Sequence, residues 1–107
     1  MEEKLKVLIV DDEPIARKFL RVCIDWEAAG FTISAEAGGG AEALDLMEVD
    51  TPDIVFADIQ MPFMDGLTFS RIVAKQYPQV KIVILTAHQN FTYAKESGIS
   101  RYKATVA

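Results

Sequence analysis

Four residues whose side chains could do chemistry each follow a short apolar run in this 107-residue chain: Asp11, Asp12, Asp58 and Thr86. Short runs rich in Val and Ile are typical of strands that are buried in a parallel sheet. Ligand sites in such sheets lie beyond the carboxyl ends of the strands, where the strand order reverses. If the first and third strands are neighbours at that point, the three aspartates lie close together.

Three carboxylates at close range repel one another, so one of them must take up a proton unless a cation compensates. Mg²⁺ is a suitable cation, because it binds one or two carboxylates, keeps several waters and shares its other positions with a substrate phosphate. A carboxylate beside such an ion can attack phosphorus and form an aspartyl phosphate. The ion would neutralise charge on the transferring group, and Thr86 could donate a hydrogen bond to it.

A second interpretation of Asp12 stays open at this stage. An acidic residue after a strand often caps the next helix, and Asp12 stands two residues before Pro14. For any one of these aspartates alone, capping or a solvated position is the better interpretation. Three of them at strand ends in one chain favour a metal site or a site that handles an anion.

The alternation of apolar runs and amphipathic stretches predicts the elements that position these residues. The order of the elements predicts an α/β fold, a flavodoxin-like doubly wound parallel sheet with strand order 2-1-3-4-5, in a single domain over residues 1–107. The fifth strand has the weakest pattern. Strands are expected at residues 5–10, 31–35, 54–57, 80–85 and 99–106. The first helix is expected to begin at residue 14 and to be stopped by Gly30, and further helices are expected at residues 41–49, 66–77 and 91–97.

The first of these helices carries an apolar pattern of its own. Ile15, Phe19, Val22 and Trp26 recur at helical spacing. This periodicity predicts a single stripe that is buried against the sheet.

Composition narrows the class of protein. The chain has 11 Lys and Arg residues against 16 Asp and Glu residues, a formal net charge of −5. An acidic surface repels phosphate backbones, so direct binding to nucleic acid is not expected. A single cysteine excludes a disulfide framework, and neither a membrane span nor a signal peptide is evident. These features predict a cytoplasmic protein that does not bind membranes.

Three stretches resemble the receiver domain of two-component response regulators. Residues 8–14 (LIVDDEP) resemble the start of that domain, residues 58–66 (DIQMPFMDG) resemble the loop after its phospho-accepting aspartate, and residues 82–87 (IVILTA) resemble its fourth strand. The resemblance covers residues 4–102. Residues 24–26 (IDW), followed by Gly30 and Phe31, also resemble a subgroup whose members often carry an AraC-type DNA-binding output domain.

The resemblance implies a role for each residue that matches the family pattern. Asp58 accepts a phosphoryl group from a histidine kinase. Asp12 and Asp58 bind Mg²⁺ directly, together with the backbone carbonyl of Gln60, and Asp11 holds the ion through water. Gln60 and His88 stand where family members tune the lifetime of the phosphate.

The resemblance also implies a conformational switch, in which Thr86 moves toward the phosphoryl group and the aromatic side chain of Tyr102 turns inward. The family pattern is broken beyond that point. The segment from Thr86 to Tyr102 is about one helical turn shorter than usual, and the expected Lys-Pro pair is replaced by Thr105 and Val106. Lys103, two residues early, is the candidate to replace the missing lysine, from about 6–7 Å further back along the strand. The favoured alternative is that Lys103 is a solvated lysine at the end of the strand.

The family's fifth helix is missing from the sequence, so the domain is expected to be incomplete at its C-terminus. The apolar face of the first and third strands would then lack its cover, and such a patch promotes association. A homodimer, strand exchange or poor solubility is the resulting hypothesis.

The sequence therefore predicts a phospho-accepting receiver domain that depends on Mg²⁺, works with a histidine kinase and passes the change to a partner or an output domain. It is not expected to be an enzyme beyond assisting its own phosphorylation and dephosphorylation. The alternative is a degenerate receiver that acts as an interaction module without phosphorylation. A flavodoxin-like cofactor protein is disfavoured, because three carboxylates would repel the phosphate of FMN.

Overall fold

A computed structural model describes residues 4–87 and 102–106, and for residues 86–87 and 102–106 it describes the backbone alone. Strands and helices alternate along the chain up to residue 87. The elements are β1 (Leu5–Val10), α1 (Pro14–Cys23), β2 (Phe31–Ala37), α2 (Gly40–Val49), β3 (Ile54–Asp58), α3 (Gly66–Gln76), β4 (Lys81–Ala87) and β5 (Tyr102–Val106). The predicted helix at 91–97 lies outside the described residues. No helix in the described part of the chain is long and apolar enough to cross a membrane.

The strands form one sheet in the order β2-β1-β3-β4-β5. The first four strands are parallel, as the sequence predicts, and their order confirms the flavodoxin-like arrangement. β1 and β3 are hydrogen-bonded neighbours, and Val10 at the end of β1 is paired with Ala57 near the end of β3. The chain leaves both strands at the same edge of the sheet, which is where the predicted site must lie.

The fifth strand departs from the prediction, because β5 runs antiparallel to β4. Fourteen residues separate the two strands, and a crossover to a parallel strand needs about a dozen or more. The connection is therefore near the minimum length for a parallel strand, whereas an antiparallel strand can follow a much shorter connection.

The reversed direction also changes where the residues of β5 lie. Val106 pairs with Val83 and Thr105 with Ile84, so neither is near the carboxyl end of β4. The two residues that replace the family's Lys-Pro pair in the sequence therefore lie away from that edge. Lys103, expected further back, is paired with Thr86.

The sheet buries a separate apolar layer on each face. Helices α2 and α3 cover one face, and α1 with Trp26 covers the other. The first layer contains Leu8, Val10, Ala43, Met47, Val55, Ala57, Phe69, Val73, Ile82 and Ile84. The second contains Val7, Ile9, Leu20, Trp26, Val83 and Leu85. The side chains of β1 alternate between the two layers, which is the expected pattern for a strand that is covered on both sides.

The buried stripe predicted for α1 is wrong in two positions. Ile15 and Val22 are 79% and 70% exposed, whereas Leu20 is buried. At 100° per residue, Leu20 lies about 140° around the helix from Ile15, so the helix uses a different side from the predicted one. Phe19 lies between the two sides and is half-buried.

The first helix also ends earlier than predicted. It stops at Cys23, because Ile24 is extended with φ −112° and ψ 130°. Trp26 is buried as expected, but it lies after the helix and donates a hydrogen bond from Nε1 to the carbonyl oxygen of Leu20 at 3.2 Å. This bond satisfies one of the carbonyl groups that a helix leaves free in its last turn.

The predicted uncovered patch on the first and third strands is also corrected. Val7 and Ile9 of β1 are fully buried, and Phe56 of β3 is half-buried. Trp26 packs edge-on against Phe56, with ring centroids 5.1 Å apart. On this face of β1 only the first residue, Leu5, is exposed among the described residues, and Ile15 and Val22 of α1 are exposed nearby.

Candidate functional site

The three aspartates predicted to meet do lie together at the carboxyl edge of the sheet. Asp11, Asp12 and Asp58 each offer a carboxylate oxygen, and these atoms lie within 4.8 Å of one another. Asp11 is buried, Asp58 is half-buried and Asp12 is exposed. The site is therefore open to solvent on the side of Asp12. Among the described residues, this is the one cluster of His, Cys, Asp or Glu side chains that could hold a metal ion.

The backbone of Asp11 extends the pairing of β1 with β2 by one residue. Its N–H donates to the carbonyl oxygen of Ala37 at 3.0 Å, and its carboxylate accepts a hydrogen bond from the N–H of Glu13 at 2.9 Å. Glu13 is the N-cap of α1 and makes no side-chain cap hydrogen bond. The capping interpretation of Asp12 is therefore wrong, and its carboxylate belongs to the acidic cluster.

Burial and mutual repulsion disfavour the ionised form of two of the carboxylates. Burial raises the pKa of Asp11 to about 6, and the neighbouring charges of Asp58 and Asp12 add to this effect. The pKa of Asp58 is also raised, chiefly by burial and then by the charge of Asp12, while the backbone N–H of Gln60 acts in the opposite direction. The cluster therefore has an uncompensated excess of negative charge, which a cation would relieve.

The loop after β3 is folded closely against the end of that strand. The N–H of Ile59 donates to the carbonyl oxygen of Leu85 at 3.0 Å, and the N–H of Gly66 donates to the carbonyl oxygen of Ile59 at 2.8 Å. Asp65 caps α3 by accepting a hydrogen bond from the N–H of Thr68 at 2.7 Å, and this bond lowers the pKa of Asp65. The loop therefore holds the backbone on both sides of Gln60, whose side chain is exposed.

The remaining predicted site residues are described less fully. Asp58 is paired with Leu85, so the backbone of Thr86 follows at the same edge of the sheet. Tyr102 and Lys103 are paired with Ala87 and Thr86. The side chains of these residues are outside the described part of the molecule, as is the whole of His88.

One residue that touches the site, Arg17, was not predicted from the sequence. Arg17 donates a hydrogen bond from Nη1 to the backbone carbonyl oxygen of Asp11 at 2.6 Å. The signal was present in the sequence, because Arg17 stands in the first turn of a helix that begins at Pro14, and helical side chains point back toward the N-terminus.

The donor set fits a small hard cation. Mg²⁺ prefers carboxylate and carbonyl oxygens at about 2.0–2.1 Å, so two oxygens on one ion are at most about 4.2 Å apart. Oxygens that lie within 4.8 Å of one another need little movement to bind the same ion. A buried Asp11 that reaches the ion through water fits this spacing as well.

The family of the chain follows from a comparison with known proteins. The family described as the response regulator receiver domain matches residues 7–102. The match covers most of the chain and includes all three aspartates. The chain therefore belongs to the family of response regulator receiver domains, as the sequence resemblance predicted. Receiver domains bind Mg²⁺ in general, and the acidic cluster is in keeping with that property.

Individual relatives share this domain but differ in the rest of their chains. The transcriptional regulatory protein YesN of Bacillus subtilis (strain 168) is 35% identical over 100 residues, which cover 91% of this chain and 27% of YesN. A protein-glutamate methylesterase/protein-glutamine glutaminase of Hahella chejuensis is 45% identical over 83 residues, which cover 78% of this chain and 23% of that protein. The chain thus spans about a quarter of the length of these two relatives.

A solved structure agrees with the fold. The crystal structure of a two-component transcriptional regulator AraC from Clostridium phytofermentans ISDg superimposes with a TM-score of 0.74 at 30% identity. The match covers 87% of this chain and 72% of that one. The chain is therefore a receiver domain with transcriptional regulators among its relatives.

Proposed function

We propose that Asp58 is the residue of this receiver domain that accepts the phosphoryl group. The observation that carries the proposal is the convergence of three carboxylates on the carboxyl edge of β1 and β3. Asp58 is the half-buried member of the three and terminates a strand, so its carboxylate is held at a fixed place but is still reachable. A histidine kinase is the expected donor, since that is the general partner of the family.

In the proposed reaction, a carboxylate oxygen of Asp58 attacks the phosphorus atom of the donor. The new bond joins that oxygen to phosphorus, and the bond between phosphorus and the donor's leaving atom breaks with its electron pair staying on the donor. The attacking group must be ionised, so the raised pKa of Asp58 makes the reaction sensitive to acid. The backbone N–H of Gln60 supports the ionised form.

Asp12, Asp58 and the backbone carbonyl of Gln60 are proposed to hold Mg²⁺ directly, with Asp11 holding it through water. When bound, the ion would neutralise charge on the transferring phosphoryl group. The raised pKa of Asp11 supports this arrangement, because a buried carboxylate without a cation favours protonation.

Thr86 and Tyr102 are proposed as the switch pair that responds to the phosphoryl group, and Gln60 and His88 as residues that affect its lifetime. For Thr86 the support is the backbone, which places it one residue beyond the partner of Asp58. Lys103 is proposed as a substitute for the missing lysine, with its pairing to Thr86 as support. These assignments rest on the family pattern carried onto this chain.

The output of the whole protein is a separate proposal. We propose an AraC-type DNA-binding output in a longer parent chain, located in the cytoplasm, in which residues 1–107 act as a single receiver unit without enzymatic activity toward other molecules. The motif at residues 24–26 supports this output, and so does the similarity to a transcriptional regulator AraC. The methylesterase relative shows why the receiver sequence alone does not fix the output.

Phosphorylation in vitro tests the acceptor. The protein is incubated with acetyl phosphate and Mg²⁺, and the intact mass is measured. We expect one added phosphoryl group, which is lost in Asp58→Asn and on addition of EDTA. Asp45→Asn is the matched control, because Asp45 is an exposed carboxylate on α2 outside the cluster.

The same experiment separates this proposal from the alternative. A degenerate receiver would fold and yet take up no phosphoryl group under any of these conditions. The alternative is not favoured, because the three carboxylates that the reaction needs are present and lie together.

A further inference from the structure

Arg17 forms the centre of a polar network beside the acidic cluster. Its Nη1 atom lies 2.6 Å from the carbonyl oxygen of Asp11, and its Nε atom lies 3.4 Å from Oε1 of Glu36. The Arg17 and Glu36 side chains are only 20% and 22% exposed. Arg21 pairs with the other oxygen of Glu36, from Nη1 to Oε2 at 2.8 Å, but its side chain is 54% exposed.

The local fold explains why Arg17 reaches this carbonyl group. Helix α1 begins at Pro14, and the N–H of Arg17 donates to the carbonyl oxygen of Glu13 at 3.1 Å in the first turn. A side chain in this turn points back toward the N-terminus and so toward the end of β1. Glu36 lies on β2 beside Ile9 of β1, on the same face as α1, and holds the guanidinium group from the other side.

The carbonyl oxygen of Asp11 is a backbone group that the sheet and the helix leave available. Strand β1 ends at Val10, and α1 starts only at Pro14. Arg17 supplies the donor, in a hydrogen bond that is charge-assisted and therefore stronger than one between neutral groups. Because a peptide unit is planar, fixing the carbonyl of Asp11 also fixes the N–H of Asp12 and limits where the carboxylate of Asp12 can lie.

We propose that Arg17 is a positioning residue for the cation site. Arg17 holds the peptide between Asp11 and Asp12 so that both carboxylates face a bound divalent cation. Arg17 does not touch the cation, and its effect is transmitted through this one peptide unit. Glu36 orients Arg17 in turn. The inference rests on the proposed function, because it assumes that the acidic cluster binds the cation.

Arg21 offers a matched control within the same network. Both arginines pair with Glu36, and both stand on α1. Arg17 donates a hydrogen bond to the backbone of Asp11, whereas Arg21 pairs with the side chain of Glu36. A variant of Arg21 therefore removes a similar charge from the same helix without removing the bond to the Asp11 carbonyl.

The experiment measures the dissociation constant of Mn²⁺, an oxygen-binding substitute for Mg²⁺, from the electron paramagnetic resonance signal of the free ion. Removing a group that supports metal ligands typically weakens metal binding by about 10–100-fold. We expect Arg17→Gln to weaken Mn²⁺ binding about tenfold or more, and Arg21→Gln to change it less than about twofold. Arg17→Lys keeps one donor but not the fork of an arginine, so it should restore part of the affinity.

The outcomes distinguish the two proposals. The proposed cation site itself is wrong if the unmodified protein binds no Mn²⁺. It is also wrong if the Asp12→Asn variant binds Mn²⁺ as tightly as the unmodified protein does. If the site binds Mn²⁺ but Arg17→Gln and Arg21→Gln have the same affinity, the role of Arg17 is wrong. Circular dichroism shows whether each variant is folded. If Arg17→Gln is unfolded, the Mn²⁺ affinity of Arg17→Lys tests the role instead. Weaker Mn²⁺ binding than in the unmodified protein supports the role of Arg17, and unchanged binding overturns it.

Discussion

Gly66 lies so close to the backbone of Asp58 that a Cβ atom at this position would overlap the carbonyl oxygen of Asp58. The same atom would lie 2.8 Å from Cα of Ile59. Only glycine allows the first residue of α3 to approach the end of β3 so closely. The short loop that carries Gln60 can therefore close on itself and leave Asp58 at the edge of the sheet.

Gly66→Ala should consequently disturb both the fold and the site. The new methyl group meets backbone atoms that cannot move aside as a flexible side chain could, so we expect the free energy of unfolding to fall by about 1–3 kcal/mol. Phosphorylation of Asp58 should also slow, because the end of β3 must shift. Urea unfolding and the rate of phosphoryl uptake measure the two effects.

Gly39→Ala is the control for this substitution. Gly39 has an extended backbone with φ −177°, and a Cβ atom there would meet nothing within 4 Å. Because Gly39 is the N-cap of α2, where alanine is less favourable than glycine, we expect a loss of no more than about 1 kcal/mol. Equal destabilisation by the two variants would contradict the argument from close packing.

The burial of Asp11 predicts an unusual dependence of stability on pH. Its pKa is raised to about 6 in the folded protein from 3.8, so between these values the folded state binds more protons than the unfolded state. Without a divalent cation, the contribution of Asp11 to stability should decline as the pH rises from about 4 to 6 and stay low above that.

Asp11→Asn should remove most of this dependence. The amide oxygen can still accept the hydrogen bond from the N–H of Glu13, but no charge is buried. At pH 7 without Mg²⁺, we expect this variant to be more stable by roughly 1–3 kcal/mol. Denaturant unfolding at several pH values tests the expectation, with Asp45→Asn as the exposed control. A parallel pH profile for Asp11→Asn and the unmodified protein would contradict it.

The corrected orientation of α1 gives a third prediction. Leu20 lies outside the predicted stripe and is buried against the sheet, whereas Val22 belongs to that stripe and is 70% exposed. Leu20→Ala should lower the free energy of unfolding by about 2–5 kcal/mol, whereas Val22→Ala should change it by no more than about 0.5 kcal/mol. Thermal and urea unfolding of the two variants provide the comparison, and a larger cost for Val22→Ala would restore the orientation that the sequence predicted.

Trp26 provides a fourth prediction. Its indole donates to the carbonyl oxygen of Leu20, and its ring packs edge-on against Phe31 and Phe56. Trp26→Ala should cost about 3–5 kcal/mol. Trp26→Phe keeps much of the aromatic packing but leaves the carbonyl without its donor, so an intermediate cost of about 1–3 kcal/mol is expected. Equal costs for the two variants would contradict this expectation, because the ring retained in Trp26→Phe would then contribute nothing to stability.

The sequence predicted the parts of the fold that depend on strong local patterns. β1 was predicted at its observed bounds, and α2 and α3 to within a residue or so, since apolar runs and glycine or proline breaks mark them clearly. The strand order placed Asp11, Asp12 and Asp58 together, because parallel strands bring their carboxyl ends to one edge.

The predictions were wrong or incomplete where contacts between distant parts of the chain select one of several arrangements that the local sequence allows. Ile15 and Val22 fit a helical stripe as well as Leu20 does, and only packing against the sheet selects the side with Leu20. The direction of β5 is set by its pairing with β4, which no local pattern in the sequence specifies, and the family pattern predicts the opposite direction. The position of Arg17 in the first turn of α1 allows a contact with the end of β1, but only the folded structure shows that the acceptor is the carbonyl oxygen of Asp11.

The measurement that tests the central claim most directly is the location of the phosphoryl group after reaction with acetyl phosphate and Mg²⁺. The aspartyl phosphate is reduced with borohydride to a stable homoserine, and the tryptic peptide that spans residues 22–71 is fragmented in a mass spectrometer, since no Lys or Arg lies between its ends. The account predicts that the converted residue is Asp58 and that EDTA prevents the conversion. Conversion at another aspartate, or none in a folded sample, would contradict it.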